Sequence, residues 1–451
     1  MNRVNAELPM NQITAALGKI RCPGSLDDFA AAMTQRWRNV MRHRREIDPI
    51  TLPSPNTAVE WYSLGRRPTE QSAPPSRSVA YACNDFFVQD AGSLLALAVA
   101  GAGGEGLSGK TVCDLCAAPG GKASALVEAV ATFESEPDGF VLANEVIRSR
   151  VGPLQLNLAR TGSDCFAISS LDPDTLADQL PQAFDLLVVD APCSGQAMMS
   201  RGKQNLSALS NHQIQHSASR QRRILEAAVK LVRDGGQLIY STCTFAEAEN
   251  EAQVRWLVEH GMATPNPVES LQDHETDPAC YRCWPHLHHC AGSFAASLTI
   301  NHSAAVKTKK PRRSKQGKSP VKLTDWYEET VARSRLCTRN SVVLGLSPTA
   351  PAWVDQVAIG GPELAHRTGQ TWKPAHAGAL RRTTGLKPAN VIDIDEAACK
   401  QFMRGEPIQT TAHGWNTVQL QGRPLGWVKA NGRIGKNHLP NGARMSGELA
   451  S

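Results

Sequence analysis

No stretch of about twenty consecutive apolar residues is available to span a bilayer, and the start, Met1-Asn2-Arg3-Val4-Asn5, leads into no apolar segment of the kind a secretory signal needs. A membrane partner is therefore not expected. The twelve cysteines are scattered through the 451 residues rather than spaced as a disulfide framework, which points to free thiols in a reducing cytoplasm. Two nucleotide signatures are also missing: no G-x-G-x-x-G fingerprint and no P-loop occurs where a strand meets a helix. The length exceeds one ordinary core, so several domains are expected.

What the chain has is an uneven charge. Residues 303–451 carry 23 Lys and Arg against 10 Asp and Glu, or +13; the whole chain is +6, so residues 1–302 carry −7. A basic tail region on a near-neutral body suggests a polyanionic partner. The basic run 303–322, with eight Lys or Arg and no acid, reads as a linker able to touch phosphates.

A helical pattern is expected from about Leu26 to Arg45, with Arg36, Arg38, Arg42, Arg44 and Arg45 around Trp37 and Met41. Arginines with an interleaved aromatic suit RNA, although a solvated helix face explains them equally well. The proline-rich residues 51–78 read as irregular linker. From Thr111 the pattern becomes regular: apolar runs at 111–116, 140–144, 165–171, 184–189 and 236–242 alternate with helical periods near 121–134, 147–161, 217–232 and 246–260. This alternation predicts an α/β, Rossmann-like doubly wound domain whose strands all end at one functional edge.

At that edge the first strand ends in Asp114-Leu115-Cys116-Ala117-Ala118-Pro119-Gly120-Gly121-Lys122, a turn of small residues entering a helix, suited to a nucleotide-containing cofactor. Glu145 follows the second strand, where an acid commonly holds a ribose. Asp172, past the third, could read an adenine amino group. The fourth strand delivers Asp190-Ala191-Pro192-Cys193-Ser194-Gly195 and the fifth Ser241-Thr242-Cys243. Alone, the first of these loops looks like a nucleophile with its helper. Neighbouring strands lie about 4.8 Å apart, so two thiols fifty residues apart in sequence could face one pocket.

These motifs, with Glu249-Asn250-Glu251, Gln89-Asp90-Ala91 and Trp284-Pro285-His286, resemble the Nop/Sun family of S-adenosylmethionine-dependent RNA cytosine-5 methyltransferases over about residues 26–302. The stretches Leu425-Gly426-Trp427-Val428-Lys429 and Gly435-Lys436-Asn437-His438 are similar to the RNA-binding end of its RsmF-type members, which act on small-subunit ribosomal RNA. The resemblance implies an S-adenosylmethionine site at Cys116, Ala117, Ala118, Pro119, Gly120, Gly121, Lys122, Glu145, Asp172 and Asp190. It implies Cys243 as the nucleophile and Cys193 as its partner; the chemistry of methylating cytosine C5 further gives Asp190 the role of holding the N3 edge of the base. Two departures stand out. Gln196-Ala197-Met198-Met199 replaces the usual Glu-Gly or Thr-Gly pair, and residues 134–138 look like a surface insertion.

The expected organisation is an N-terminal, α-rich RNA-binding region (1–100), the methyltransferase domain (101–302), the basic linker (303–322) and a small β-rich RNA-binding domain (323–451). In the last of these, Trp415, Trp427, Lys429, Arg433, Lys436 and His438 would face RNA, unless both tryptophans form its core. The partner expected is ribosomal RNA or the small subunit, with no DNA and a monomeric enzyme. Methylation of tRNA and a non-catalytic ribosome-assembly role are the alternatives. Cys280, Cys283, His286, His288, His289 and Cys290 superficially suggest zinc, but their spacing is too short and no metal is expected.

Overall fold

A computed structural model describes residues 10–18, 20–53, 55–69, 73–104, 106–131, 139–302, 320–328, 334–382 and 387–445. Most of the basic linker and the 134–138 insertion lie outside the described residues.

The N-terminal region departs from its expected helix. Helices Met10–Leu17 and Leu26–Thr34 form, the second capped by Ser25 accepting from Asp28 N at 3.3 Å, and it buries Phe29, Ala30, Ala32 and Met33. It stops there because the next apolar residues find partners in a sheet: β1 (Val40–His43), buried at every position, pairs antiparallel with β3 (Tyr62–Pro68) and β4 (Phe86–Gln89), and β2 (Asn56–Val59) flanks β3. Tertiary pairing overrides local helix propensity here. It also turns much of the expected linker 51–78 into strand.

The arginines divide accordingly. Arg42 and Arg44 are buried, Arg42 donating to Glu128 and to Ser124 Oγ (2.9 Å) and Arg44 to Thr161 O (2.6 Å), so both tie the sheet to the next domain rather than facing a ligand. Arg36, Arg38 and Arg45 remain exposed.

The central sheet follows the expected alternation. Its strands β5 (Thr111–Asp114), β6 (Phe140–Asn144), β7 (Phe166–Ser169), β8 (Phe184–Asp190) and β9 (Val232–Thr242) run parallel in the order β7-β6-β5-β8-β9. Near-continuous apolar strands such as Phe140–Asn144, buried at all five positions, are what helices on both faces require. Beyond β9 the sheet continues with β10 (Ala263–Pro265), β11 (Glu275–Asp277), β12 (Cys280–Cys283) and β13 (Ser293–Ile300). Of these, β13 is antiparallel to β9, and β10 and β12 both pair with β13. Helix Asn211–Leu231, capped by Ser210, crosses from β8 to β9 and buries Ile224, Leu225, Ala228 and Leu231.

The C-terminal part holds two sheets, not one. The first contains β14 (Arg335–Arg339), β15 (Val342–Leu346), β16 (Glu363–Thr368) and β17 (Thr371–Pro374). It shares a core with the central domain: Trp353 meets Phe184 edge-on at 5.5 Å, and Ile359 N donates to Ile168 O at 2.8 Å. The second contains β18 (Val391–Asp393), β19 (Ile408–Gln409), β20 (His413–Leu420), β21 (Arg423–Asn431) and β22 (Ile434–Asn437). It packs on the N-terminal region through Val79, Ala82 and Cys83 and through Arg423, which donates to Asp85 at 2.8 Å.

The two tryptophans of this last sheet part company. Trp427 is 1% exposed and donates Nε1 to Ala375 O at 2.8 Å, so it belongs to the core between the two C-terminal sheets. Trp415 is half-buried beside His438, with ring centroids 4.5 Å apart, and carries Lys429 over its ring. Among the described residues, no helix is long and apolar enough to cross a membrane.

Candidate active site

The C-terminal ends of β5, β8 and β9 open into one cavity of ≈ 310 Å³, which the end of β4 and the start of β13 also line. It contains Asp114, Cys116, Ala117, Ala118, Pro119, Gly121, Lys122, Asp190 and Cys243, together with Phe87, Gln89, Asp90, Met198 and Arg201. The cause is the strand order. Asp190 and Ser241 are register partners of β8 and β9, so the residues just beyond them leave the sheet side by side.

The two thiols consequently meet, Cys193 Sγ and Cys243 Sγ lying 3.2 Å apart. That separation is a hydrogen bond, well beyond the ≈ 2.05 Å of a disulfide. The bond to Cys243, then burial, raises the Cys193 thiol well above its ordinary value. Beside them Asp190 accepts from Lys122 Nζ at 2.8 Å and from Ser241 Oγ at 2.7 Å. Burial pulls the Lys122 ammonium down, but Asp190, with Asp114 beyond it, outweighs this and leaves it raised.

The loops are held from behind by groups the sequence reading did not put to this use. Glu249, fully buried, accepts from Ser194 N (2.9 Å), Ser194 Oγ and Gln221 Nε2 (2.9 Å), which fixes the residue after Cys193. Burial raises the Glu249 carboxyl against the pull of those same bonds. Asn250 accepts from Thr242 Oγ1 (2.6 Å) and donates to Thr244 O (2.9 Å), bracketing Cys243. Gln196, the departure from the usual pair, joins the two loops: its Oε1 accepts from Phe245 N at 2.9 Å, and Ala197 N donates to Cys243 O at 3.0 Å. Glu249 and Asn250 lay within a motif visible in the sequence. Arg201, which donates to Asn39 Oδ1 (2.7 Å) and Asp90 Oδ2 (3.0 Å), carried no signal there.

The family model described as "16S rRNA methyltransferase RsmB/F" matches residues 106–299, and that described as "Methyltransferase RsmF PUA domain" matches residues 389–445. The chain thus carries a stretch matching the RsmB/F methyltransferase model, followed by one matching the RsmF PUA model. It is 27% identical to a ribosomal RNA small subunit methyltransferase F of Escherichia coli and 28% identical to one of Citrobacter koseri, with 94% of both chains covered in each case. A methyltransferase homolog from Pyrococcus horikoshii shares the fold with a TM-score of 0.53 at 21% identity, covering 65% of this chain and 100% of that one.

The cofactor of this methyltransferase is S-adenosylmethionine, and the residues present fit it. Both carboxylate oxygens of Asp114, 1% exposed, lack a hydrogen-bond partner in the chain. Buried acceptors left this way are complemented by a polar ligand. Glu145 lies at the end of β6, its Oε1 accepting from Ile147 N at 2.9 Å and its Oε2 3.2 Å from Arg150. Within the turn 116–122, Gly120 takes φ 114° and packs against the helix Arg148–Ala159, where a Cβ would lie 3.1 Å from Asn157 Cβ. Asp172 instead caps helix Pro173–Gln179, accepting from Asp174 N at 3.1 Å, with Arg223 3.6 Å away, and it is not among the cavity's lining residues. The Cys and His residues of 280–290 are divided between β12, a short helix and the turn before β13. Among the described residues no group of three or more His, Cys, Asp or Glu is arranged to hold a metal.

Proposed function

We propose that this methyltransferase modifies C5 of a cytosine in small-subunit ribosomal RNA, with Cys243 as the nucleophile, Cys193 as the group that assists product release and Asp190 as the group that holds the base. The observation that carries this reading is the pair of thiols 3.2 Å apart, of which Cys243 lines the cavity that also holds Asp190 and Lys122. A methyltransferase acting on oxygen, or on an already nucleophilic nitrogen, has no use for two such thiols. Cytosine C5 does need one, because it becomes nucleophilic only after a thiolate adds to C6.

When bound, S-adenosylmethionine supplies an electrophilic methyl group on a sulfonium. Cys243 forms the S–C6 bond, and the C5=C6 π pair becomes available at C5. Asp190, oriented by Lys122 and Ser241, shares a proton with N3 of the ring, and that proton stabilises the charge that develops in the adduct. After methylation the C5–H pair must re-form the ring double bond while the C6–S pair returns to Cys243. Cys193 is the group beside Cys243 that assists loss of that proton. Its thiol is held up by the bond to Cys243, so it becomes easier to ionise once Cys243 has bonded to carbon.

RNA would be gripped at the exposed Arg36, Arg38 and Arg45 of the N-terminal region. In the C-terminal sheet, the half-buried Trp415 and His438 lie beside the exposed Lys429, Arg433 and Lys436, a face with cations for phosphates and a ring for a base. The relatives' names point to the small subunit, and a base can reach the cavity only when splayed from its helix.

The test is to incubate variants with undermethylated small-subunit RNA and look for a denaturation-resistant protein–RNA species. Cys193→Ala should accumulate it and Cys243→Ala should form none. An adduct in Cys243→Ala would sink the assignment, and bisulfite sequencing of the product locates the methylated base.

A further inference from the structure

One donor in the cavity has no partner and no role in the steps above. Gln89 is the last residue of β4, contributed by the N-terminal sheet rather than by the methyltransferase domain, and its side chain lines the cavity. Its Nε2 is buried and makes no hydrogen bond. An amide hydrogen withdrawn from water without an acceptor costs free energy unless a ligand supplies one.

Its position says which ligand atom is meant. The Gln89 amide lies against the first residue of helix Gly121–Val130, since a Cβ on Gly121 would sit 3.0 Å from Gln89 Oε1. That ten-residue helix starts on Gly120, which offers no side-chain cap for its first-turn N–H groups, and its first two residues, Gly121 and Lys122, line the cavity. Gln89 Nε2 and those N–H groups are all donors, the complement of a carboxylate. The acceptor of opposite sense is near at hand in Asp114, whose two unpartnered oxygens line the same cavity. Donors on one side and a carboxylate on the other match the two charged groups of an α-amino acid.

We propose that Gln89 binds the α-carboxylate of the methionine part of the cofactor, so that the N-terminal region completes the cofactor site. This inference rests on the cofactor assignment above. It also gives β1–β4 a task besides contact with RNA: the cofactor's amino-acid end is held only when that sheet is docked.

Isothermal titration of the full-length protein with two probes isolates the contact: S-adenosylhomocysteine, which carries the amino-acid end, and 5′-methylthioadenosine, which lacks it. Wild type should bind the first more tightly. Gln89→Leu should weaken S-adenosylhomocysteine by about tenfold, as expected for one hydrogen bond to a charged group, and leave 5′-methylthioadenosine within about twofold, which also shows that the site is folded. Gln89→Glu should weaken S-adenosylhomocysteine further by placing like charges together. If Gln89→Leu keeps the wild-type preference, or weakens both probes alike, the assignment of Gln89 is wrong while the cofactor site stands. If wild type binds neither probe, the cofactor reading falls and the inference with it.

Discussion

Asp114→Asn tests whether the cofactor cavity is built at the expense of stability. Burial, and then the neighbouring Asp190 charge, push the Asp114 carboxyl from 3.8 up to about 7. A carboxyl whose folded pKa is raised disfavours folding once it must ionise. Its contribution is fully present below about pH 4 and is lost as pH climbs through about 7. Integrating between those two values gives a penalty of about 4 kcal/mol at pH 8, about 2 kcal/mol at pH 5 and below about 1 kcal/mol at pH 4. Asparagine has nearly the same shape and no charge to bury. The variant without cofactor should therefore melt higher than wild type at pH 8, by about 4 °C, and the gain should shrink towards pH 5. It should also bind S-adenosylhomocysteine less tightly, because the acceptor for the ammonium is gone. Thermal melts at pH 5, 6.5 and 8, with and without ligand, make the measurement. A variant no more stable than wild type at pH 8, or a gain independent of pH, would refute the reasoning.

Other outcomes follow from the same geometry. Arg282 and Glu251, 5% and 6% exposed, form a two-pronged pair with both contacts at 2.6 Å, and Arg282 also donates to Phe245 O behind the Cys243 loop. Arg282→Met should cost about 3–5 kcal/mol in a urea melt by stranding Glu251, and adding Glu251→Leu should recover most of it. A cost below about 1 kcal/mol for the single variant contradicts the buried-pair reading. Trp427→Ala should destabilise the protein by about 3–5 kcal/mol, whereas Trp415→Ala should leave the melt nearly unchanged and weaken RNA in filter binding. The reverse pattern would show that the core and the RNA face have been exchanged.

The parts that were legible before any fold was known are those set by local pattern. Apolar runs of strand length separated by helical periods can be satisfied only by a parallel sheet covered on both faces, and a parallel sheet puts every strand's end at one edge. Asp190, Cys193 and Cys243 could thus be expected at one sheet edge from sequence spacing and strand order; Asp190 and Cys243 line one cavity, and Cys193 bonds to Cys243. The N-terminal region was misread for the complementary reason. Val40–His43 has no strong preference of its own, and whether it is helix or strand depends on β3 and β4, which arrive later in the chain. Burial of Arg42 and Arg44 depends on Glu128, more than eighty residues away.

The sequence by itself determined the doubly wound sheet, the turn of small residues and the two thiol-bearing loops, because hydrophobic periodicity and motif chemistry are carried by neighbouring residues. Only the tertiary structure decided that the thiols stand 3.2 Å apart, and that Glu249 and Asn250 clamp their loops. It likewise decided that Trp427 is core while Trp415 is not, and that a glutamine from another sheet faces the cofactor turn. Each of these depends on contacts between segments far apart in the chain, whose distance and burial are fixed only when the whole chain packs.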